Sequence, residues 1–259
     1  EEIGTMIGIA HERGRKVYIA LNSLVKEDEI LPLIDTLTYL EAVQPDALIV
    51  QDFGVVNIVL DHFPTFNLHG STLMTVHNQV GVDSLTDMGF SRVVPARELT
   101  IKEVDRLTRS SRIEIEVFVH GAMCYSYSGL CLFSSYLGGK SGLRGRCVQP
   151  CRRKYSVAGS GGKGRSKSRS GYVFSMNDLN AIEYIPELLK SGVASLKIEG
   201  RLRSATYVKN IVGAYRMVLD QGADPDQAVM REARKMIPEA LGRRTSSGFF
   251  SSPQPKDAI

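Results

Sequence analysis

The hexapeptide Ala47-Leu48-Ile49-Val50-Gln51-Asp52 puts four apolar residues directly before a polar pair. So short a run without alternation suits a strand covered on both faces rather than one facing water. The pattern recurs along the chain. Val17–Leu21 ends at Asn22, Phe66–Leu68 at His69, Arg92–Pro95 near Arg97 and Glu98, Ile113–Val119 at His120, and Ala194–Ile198 at Glu199. Amphipathic stretches lie between these runs. Ile30, Ile34, Leu37, Leu40 and Val43 keep helical spacing, Ala205–Leu219 reads as a helix, and Asp178 reads as the N-cap of a helix over Leu179–Ser191 that stops at Gly192. Strands alternating with helices imply a parallel sheet with right-handed crossovers. Six such strands fit either an open doubly wound sheet or most of a (β/α)8 barrel. Polar residues follow nearly every strand, where barrel enzymes carry their chemistry, and no Gly-rich dinucleotide fingerprint follows any of them. The expectation is therefore an α/β fold of the TIM-like (β/α) barrel type.

A chain of 259 residues with 43% hydrophobic content suits one large domain or two small ones. The expected division is a barrel over 1–221 that carries a Cys-rich, basic insertion at about 122–171, then a C-terminal helix and tail over 222–259. Ala158–Ser170 is low in complexity and is expected to be a disordered loop, and the last 17 residues, from Arg243, are expected to have little order of their own. The chain opens at Glu1 inside a helical pattern, which reads as a cut N-terminus. No apolar run reaches the roughly 20 residues of a bilayer span and no secretory signal stands at the start, so a cytoplasmic protein without a membrane partner is expected.

The net charge of +4 is unevenly distributed. Ten of the 32 Lys and Arg lie between Lys140 and Ser170, and Val117 to Asn177 holds no Asp or Glu, so an acidic body carries one basic region. Such a region attracts phosphates or other anions; a solvated loop is the plainer account.

All four cysteines, Cys124, Cys131, Cys147 and Cys151, fall in one window with the spacing C-x6-C-x15-C-x3-C. Disulfides suit an oxidising compartment and smaller cores. A structural zinc site usually has a close cysteine pair at each end, and here one pair qualifies. A 4Fe–4S cluster also takes four thiolates and tolerates irregular spacing, so it is the preferred reading, with zinc as the alternative. Gly and Ser between the cysteines let the chain turn tightly about a small core, and Arg144, Arg146, Arg152 and Arg153 bring positive charge near the thiolates.

Other candidates follow strands. His69 is a candidate acid–base or carboxylate-binding group. His120, four residues before Cys124, is a candidate to orient the metal centre by a hydrogen bond. Gln51 and Asp52 are candidates for binding polar substrate groups, with Asp52 better read as a helix cap. Lys197, Glu199 and Arg201 alternate as on one strand face, so they are expected either to pair internally, with Glu116 joining them, or to bind an anionic co-substrate through Arg201. His11, His62 and His77 read as surface residues.

The segments Glu116-Val-Phe-Val-His-Gly-Ala-Met-Cys124, Gly129-Leu-Cys131-Leu-Phe133-Ser134, Gly145-Arg-Cys147-Val-Gln-Pro-Cys151-Arg152 and Ser195-Leu-Lys-Ile-Glu-Gly-Arg201 together resemble the collagenase-like peptidases, peptidase family U32. The resemblance covers nearly the whole chain. Phe133 stands where the signature usually has an aliphatic residue, and the two strands that open the family's barrel are not found. Some members of that family are named for collagen degradation. Others are oxygen-independent hydroxylases of a tRNA wobble uridine, an rRNA cytidine or a ubiquinone precursor. For the latter the resemblance implies a 4Fe–4S cluster on Cys124, Cys131, Cys147 and Cys151, and prephenate as hydroxyl donor. The sequence contains no HExxH and no GxSxG, and a Cys124–His120 pairing would leave three cysteines unexplained. The expectation is an RNA hydroxylase with an anionic co-substrate among His69, Lys197 and Arg201, and with RNA docked on the basic region; a collagenase-like peptidase and a non-catalytic RNA-binding or assembly protein are the alternatives.

Overall fold

A computed structural model describes residues 1–157, 169–237 and 243–259. Five strands alternate with helices first: α1 (Glu2–His11), β1 (Tyr18–Leu21), α2 (Ile30–Val43), β2 (Ala47–Val50), α3 (Phe53–His62), β3 (Leu68–Gly70), α4 (Gln79–Asp87), β4 (Arg92–Val93), α5 (Ile101–Ser110) and β5 (Glu114–Gly121). Then come α6 (Phe133–Gly138), the antiparallel pair β6 (Tyr155–Val157) and β7 (Arg169–Gly171), β8 (Asp178–Asn180), α7 (Ile185–Ser191), β9 (Ser195–Ile198), α8 (Ala205–Leu219), α9 (Gln227–Met236) and β10 (Thr245–Ser246).

Strands β1 to β5 pair in chain order, all parallel, and β9 joins β5 in parallel. The six expected strands are thus the six parallel strands of a mixed α/β fold. The ladder's ends are β1 and β9, and no pairing joins them among the described residues. Strand β8 runs antiparallel to the end of β5, with β10 parallel beside it.

Local chemistry fixes these elements. All four residues of β2 are buried, as an unalternated apolar run requires. Asp52 caps α3 by accepting from Gly54 N at 2.7 Å and Val55 N at 3.2 Å. Thr100 and Glu103 form a capping box on α5, and Ser204 caps α8. The helices lay Leu37, Leu40, Val55, Val59, Val82, Leu107, Ile211 and Val218 against Leu48, Val50, Leu68, Val93, Ile115, Val117 and Val119 of the sheet in one core. Every such side chain contributes about 1.5–3 kcal/mol by leaving water.

Three expectations fail here. Asp178 caps no helix. It opens β8, because β5 and β10 claim the backbone of Leu179 and Asn180, and its fully buried carboxylate pairs with Arg203 at 3.0 Å and Arg243 at 3.0 Å. Helix α7 starts only at Ile185, after a 3-10 turn over Ile182–Tyr184. The segment from Arg243 is ordered: Thr245 and Ser246 extend the sheet, and Phe250 and Ala258 enter the core. His69 lies within β3, not after it. Of the disordered loop expected over 158–170, residues 158–168 lie outside the described residues, while Arg169 and Ser170 belong to β7.

Candidate active site

Strand β5 delivers the chain to the cysteines through Gly121, whose φ is 113°. A Cβ there would stand 2.5 Å from the Glu199 carbonyl oxygen, so only glycine lets β5 pass the end of β9 at this point. Arg152 then ties the segment together. Its guanidinium donates to Met123 O at 2.6 Å, Ser175 Oγ at 2.9 Å and Met176 O. The buried Ser134 hydroxyl accepts from Val148 N at 2.9 Å, and Tyr155 donates to Pro150 O at 3.0 Å. The segment is also anchored to the loops after β1 and β2: Leu143 O accepts from Leu24 N at 3.1 Å and from Gln51 Nε2 at 2.9 Å, while Arg144 pairs with Glu29 at 2.5 Å.

All four cysteines are free thiols, two exposed and two partly buried. Cys124, Cys131 and Cys147 line one cavity of 160 Å³, with Thr72, Leu73, Arg97, Glu98 and Met123 among its other walls. Burial pushes the Cys124 thiol up, and the charges of Cys131 and Cys151 push it the same way. Burial raises Cys151 too, reinforced by Cys147 and Cys131 and opposed by Arg152. Burial also disfavours the Cys131 thiolate, but hydrogen bonding from Ser126, the backbone of Phe133 and Ser134, and Cys124 outweighs it and leaves this thiol below its ordinary range. Three of the four thiols thus share one cavity, and Cys151 lies within electrostatic reach of the others. Gln149 N donates to Cys147 Sγ at 3.3 Å, and the guanidiniums of Arg97 and Arg152 stand in the field of Cys124. Among the described residues, no three His, Cys, Asp or Glu side chains converge tightly enough to hold a single ion. The donor set nevertheless suits an iron–sulfur core: four unpaired thiols, N–H donors to sulfur, and cations to offset thiolate charge.

A second constellation crosses the sheet. Arg92 on β4, buried, donates to Glu116 at 3.0 Å and to Glu114 at 2.5 Å, and Lys197 on β9 pairs with Glu116 at 2.8 Å. Burial works against the Glu116 carboxylate, but Lys197 and Arg92 hold it below the usual range. His69 packs edge-on to Tyr18 at 4.8 Å, and the Arg92 guanidinium lies 5.0 Å over the same Tyr18 ring. Burial, helped by Arg92, lowers the His69 pKa to about 4, and its Nδ1 is buried without a partner among the described residues. Toward the cysteines, Arg97 lies 3.8 Å over the Phe118 ring and donates to Ala122 O at 2.8 Å.

The sequence-derived candidates divide. Gln51 spends its amide on Asn22 O at 2.5 Å and Leu143 O, and Asp52 is a cap that also accepts from Val25 N at 3.0 Å. Lys197 is drawn to Glu116, so an internal Lys–Glu–Arg network exists, but its arginine is Arg92 and its carboxylate is not Glu199. Strand β9 ends at Ile198; Glu199 accepts from the Arg201 backbone at 3.0 Å, and Arg201 is exposed in the following turn, so the three do not share a strand face. His120 turns away from Glu116 and Phe118. The register with β9 shifts between Phe118 and His120, a bulge that aims the imidazole at α8, where Nδ1 meets Tyr215 OH at 3.2 Å. His11 pairs with Asp46 at 2.9 Å, and His77 lies 3.4 Å from Glu98, so neither is without a partner. Sequence reasoning assigned no role to Arg92, Arg97 or Tyr18. Arg97 carried the one usable signal, a cation just past a strand.

The profile of peptidase family U32 matches residues 1–259. The chain is 36% identical over 252 residues to a 23S rRNA 5-hydroxycytidine synthase of Escherichia coli (strain K12), covering 97% of this chain and 37% of that protein. It is 33% identical over 256 residues to the tRNA hydroxylation protein P1 of Bacillus subtilis (strain 168), covering 96% of this chain and 61% of that one. An uncharacterized protease of Methanocaldococcus jannaschii is 32% identical over 262 residues, covering 96% of this chain and 62% of that one. The chain therefore spans about two fifths to three fifths of the length of these relatives. With the family profile matched from end to end, this chain belongs to peptidase family U32.

Proposed function

We propose that this chain is the cluster-bearing part of an RNA hydroxylase, which places a hydroxyl on a tRNA or rRNA base without O2 and uses a small anion such as prephenate as hydroxyl donor. In this reading Cys124, Cys131, Cys147 and Cys151 hold a 4Fe–4S cluster. The observation that carries it is a set of four free thiols on the segment after β5, three of them lining one cavity, in a segment with no carboxylate of its own. Relatives named for hydroxycytidine synthesis in 23S rRNA and for tRNA hydroxylation support the RNA half.

When bound, such a cluster supplies a centre for electron exchange whose potential answers to nearby charge and hydrogen bonds. Arg97 and Arg152 offset the thiolate charge there. On the sheet face, the partly exposed Lys197 is the cation for an anionic donor, His69 Nδ1 is a neutral hydrogen-bonding atom, and Arg201 is an exposed cation beyond β9; Arg92 is spent on Glu114 and Glu116. The same reading takes the six parallel strands as an arc of a (β/α) barrel. It also places the protein in the cytoplasm, where thiols stay reduced; no described helix is long and apolar enough to cross a membrane.

The family's description and one relative's name favour a peptidase as a second reading. Ser128, Glu98 and His77 do form a row, with Ser128 Oγ donating to Glu98 at 3.3 Å and His77 Nε2 3.4 Å from the same residue. The carboxylate stands between hydroxyl and imidazole, so His77 is not placed to take the serine proton, and the hydroxylase is the better supported reading.

Anaerobic purification followed by iron, sulfide and zinc analysis of one sample tests the cluster. About four iron and four sulfide per chain, lost in Cys147→Ala, is the expected result; one zinc, or folded protein without metal, overturns it. The RNA half is tested in cells lacking the gene. A hydroxyl should vanish from bulk tRNA or rRNA and return with the wild-type gene but not with Cys147→Ala; unchanged RNA leaves the peptidase or a non-catalytic role.

A further inference from the structure

Tyrosine rings stand exposed on the cysteine segment. Tyr125 is 45% exposed, Tyr127 58% and Tyr136 87%. Burying an aromatic ring is among the larger gains available to a fold, so a group of exposed rings marks a surface kept for binding. Two of them are already held in place. Tyr127 packs against the His77 ring at 5.8 Å, and His77 is itself fixed by Thr75 O at 2.9 Å and by Glu98. Tyr125 meets Phe174 edge-on at 5.0 Å, and Phe174 is locked against Phe133 and Tyr155. A ring braced on one side and open on the other loses little freedom when a flat ligand lands on it.

The surroundings identify the ligand class. Val117 to Asn177 holds no Asp or Glu, and Lys140, Arg146, Arg153 and Lys154 are exposed and form no ion pair among the described residues. Cations tracking a polyanion beside open aromatic faces are the means by which single-stranded nucleic acid is held. Tyr127 lines the cavity that contains Cys124, Cys131 and Cys147, and also the adjoining cavity of 310 Å³ that contains Cys124 and Tyr125. A base inside a duplex has both faces covered by its neighbours and cannot stack on an open ring, whereas an unpaired base can.

We infer that Tyr127, with Tyr125 beside it, is the platform on which an unpaired base of single-stranded RNA stacks at the mouth of the cysteine cavity. This rests on the RNA-hydroxylase reading and adds how the substrate is presented: as a base out of the helix, its phosphates on the exposed cations of the same segment. Fluorescence anisotropy on the 259-residue chain tests it, with a labelled unstructured RNA of about twelve nucleotides and the matching duplex. Wild type should prefer the single strand, Tyr127→Ala should lose about tenfold in affinity, and Tyr127→Phe, which keeps the ring, should stay within about twofold. Circular dichroism melts should coincide for all three proteins. Absence of RNA binding by the wild type overturns the platform together with the reading beneath it. Binding that Tyr127→Ala leaves unchanged, a preference for duplex, or equal binding to phosphatidylglycerol vesicles overturns the platform alone.

Discussion

On the sheet face Arg92, Glu114, Glu116 and Lys197 are bound to one another, and three of these four side chains are mostly or fully withdrawn from water. The cysteine segment, a few residues further along the same chain, carries solvent-exposed cations, open tyrosine rings and unpaired thiols. The first arrangement consumes most of its own polar capacity: Arg92 and Glu116 are offset by neighbours from other strands, which fixes geometry and leaves to a ligand the partly exposed Lys197 and the His69 Nδ1 that has no partner among the described residues. The second leaves donors, rings and thiols unspent, and unspent groups are what a ligand can use. The body of the molecule thus supplies rigidity, and the segment after β5 supplies chemistry.

The comparison is broken most directly at Glu116. Glu116→Ala strands Lys197 and takes one of two carboxylates from the buried Arg92. Removing one partner of a buried pair costs about 3–5 kcal/mol, and retained Glu114 puts this case toward the lower end. Urea unfolding of the two proteins measures it. A loss of only a few tenths of a kcal/mol would show that water reaches the network and that the sheet face is as open to ligands as the cysteine segment.

A smaller effect comes from acid. Burial lowers His69 and His120 from 6.5 to about 4, with Arg92 and Arg203 acting in the same direction. Below pH 6.5 the unfolded imidazoles take up protons that the folded ones refuse until about pH 4. Unfolding therefore binds protons across that window, and stability is present above it and lost as pH falls through it, by at most about 1.4 kcal/mol per pH unit for each proton. Glu116, held below the usual carboxylate range, adds its own loss only at lower pH. Urea midpoints at pH 7 and pH 5.5 should differ for wild type and differ less for His69→Asn. Equal losses in the two proteins would mean that His69 is hydrated and titrates freely.

What was legible in the sequence follows from where the physics is local. Short apolar-rich runs ending at polar residues marked all six parallel strands, and helical spacing marked α2 and α8. The cysteines were legible as a group because their sequence separation is short. Partnerships formed through the fold were less so. The pairing of Glu116 with Lys197 was among the expectations, but nothing near Glu116 announces Arg92, which arrives on another strand. His120 was assigned to the metal centre because it lies four residues before Cys124, and a bulge formed with β9 instead aims it at Tyr215. Asp178 was misread because a capping residue before an apolar run looks the same whether helix or sheet claims the following amides. Exposure is likewise decided by packing: Tyr127 and Tyr155 look alike in sequence, yet one stands open beside the thiols and the other lies in an aromatic cluster.

The smallest effect on stability sharpens the comparison from the other side. Arg153 is exposed and forms no ion pair among the described residues, so Arg153→Ala removes nothing that folding uses. Its unfolding free energy should stay within about 0.5 kcal/mol of wild type. Its role lies in counterions. Each cation on a single-stranded RNA phosphate releases condensed salt, so losing one should reduce the slope of log affinity against log salt by about 0.7 while leaving the preference for single strand over duplex intact. Tyr127→Ala should do the reverse, weakening that preference and keeping the slope, because stacking releases no counterions. If both variants moved the slope equally, ring and cation would not be separable contributors, and the division of the segment into a stacking part and a phosphate part would have to be abandoned.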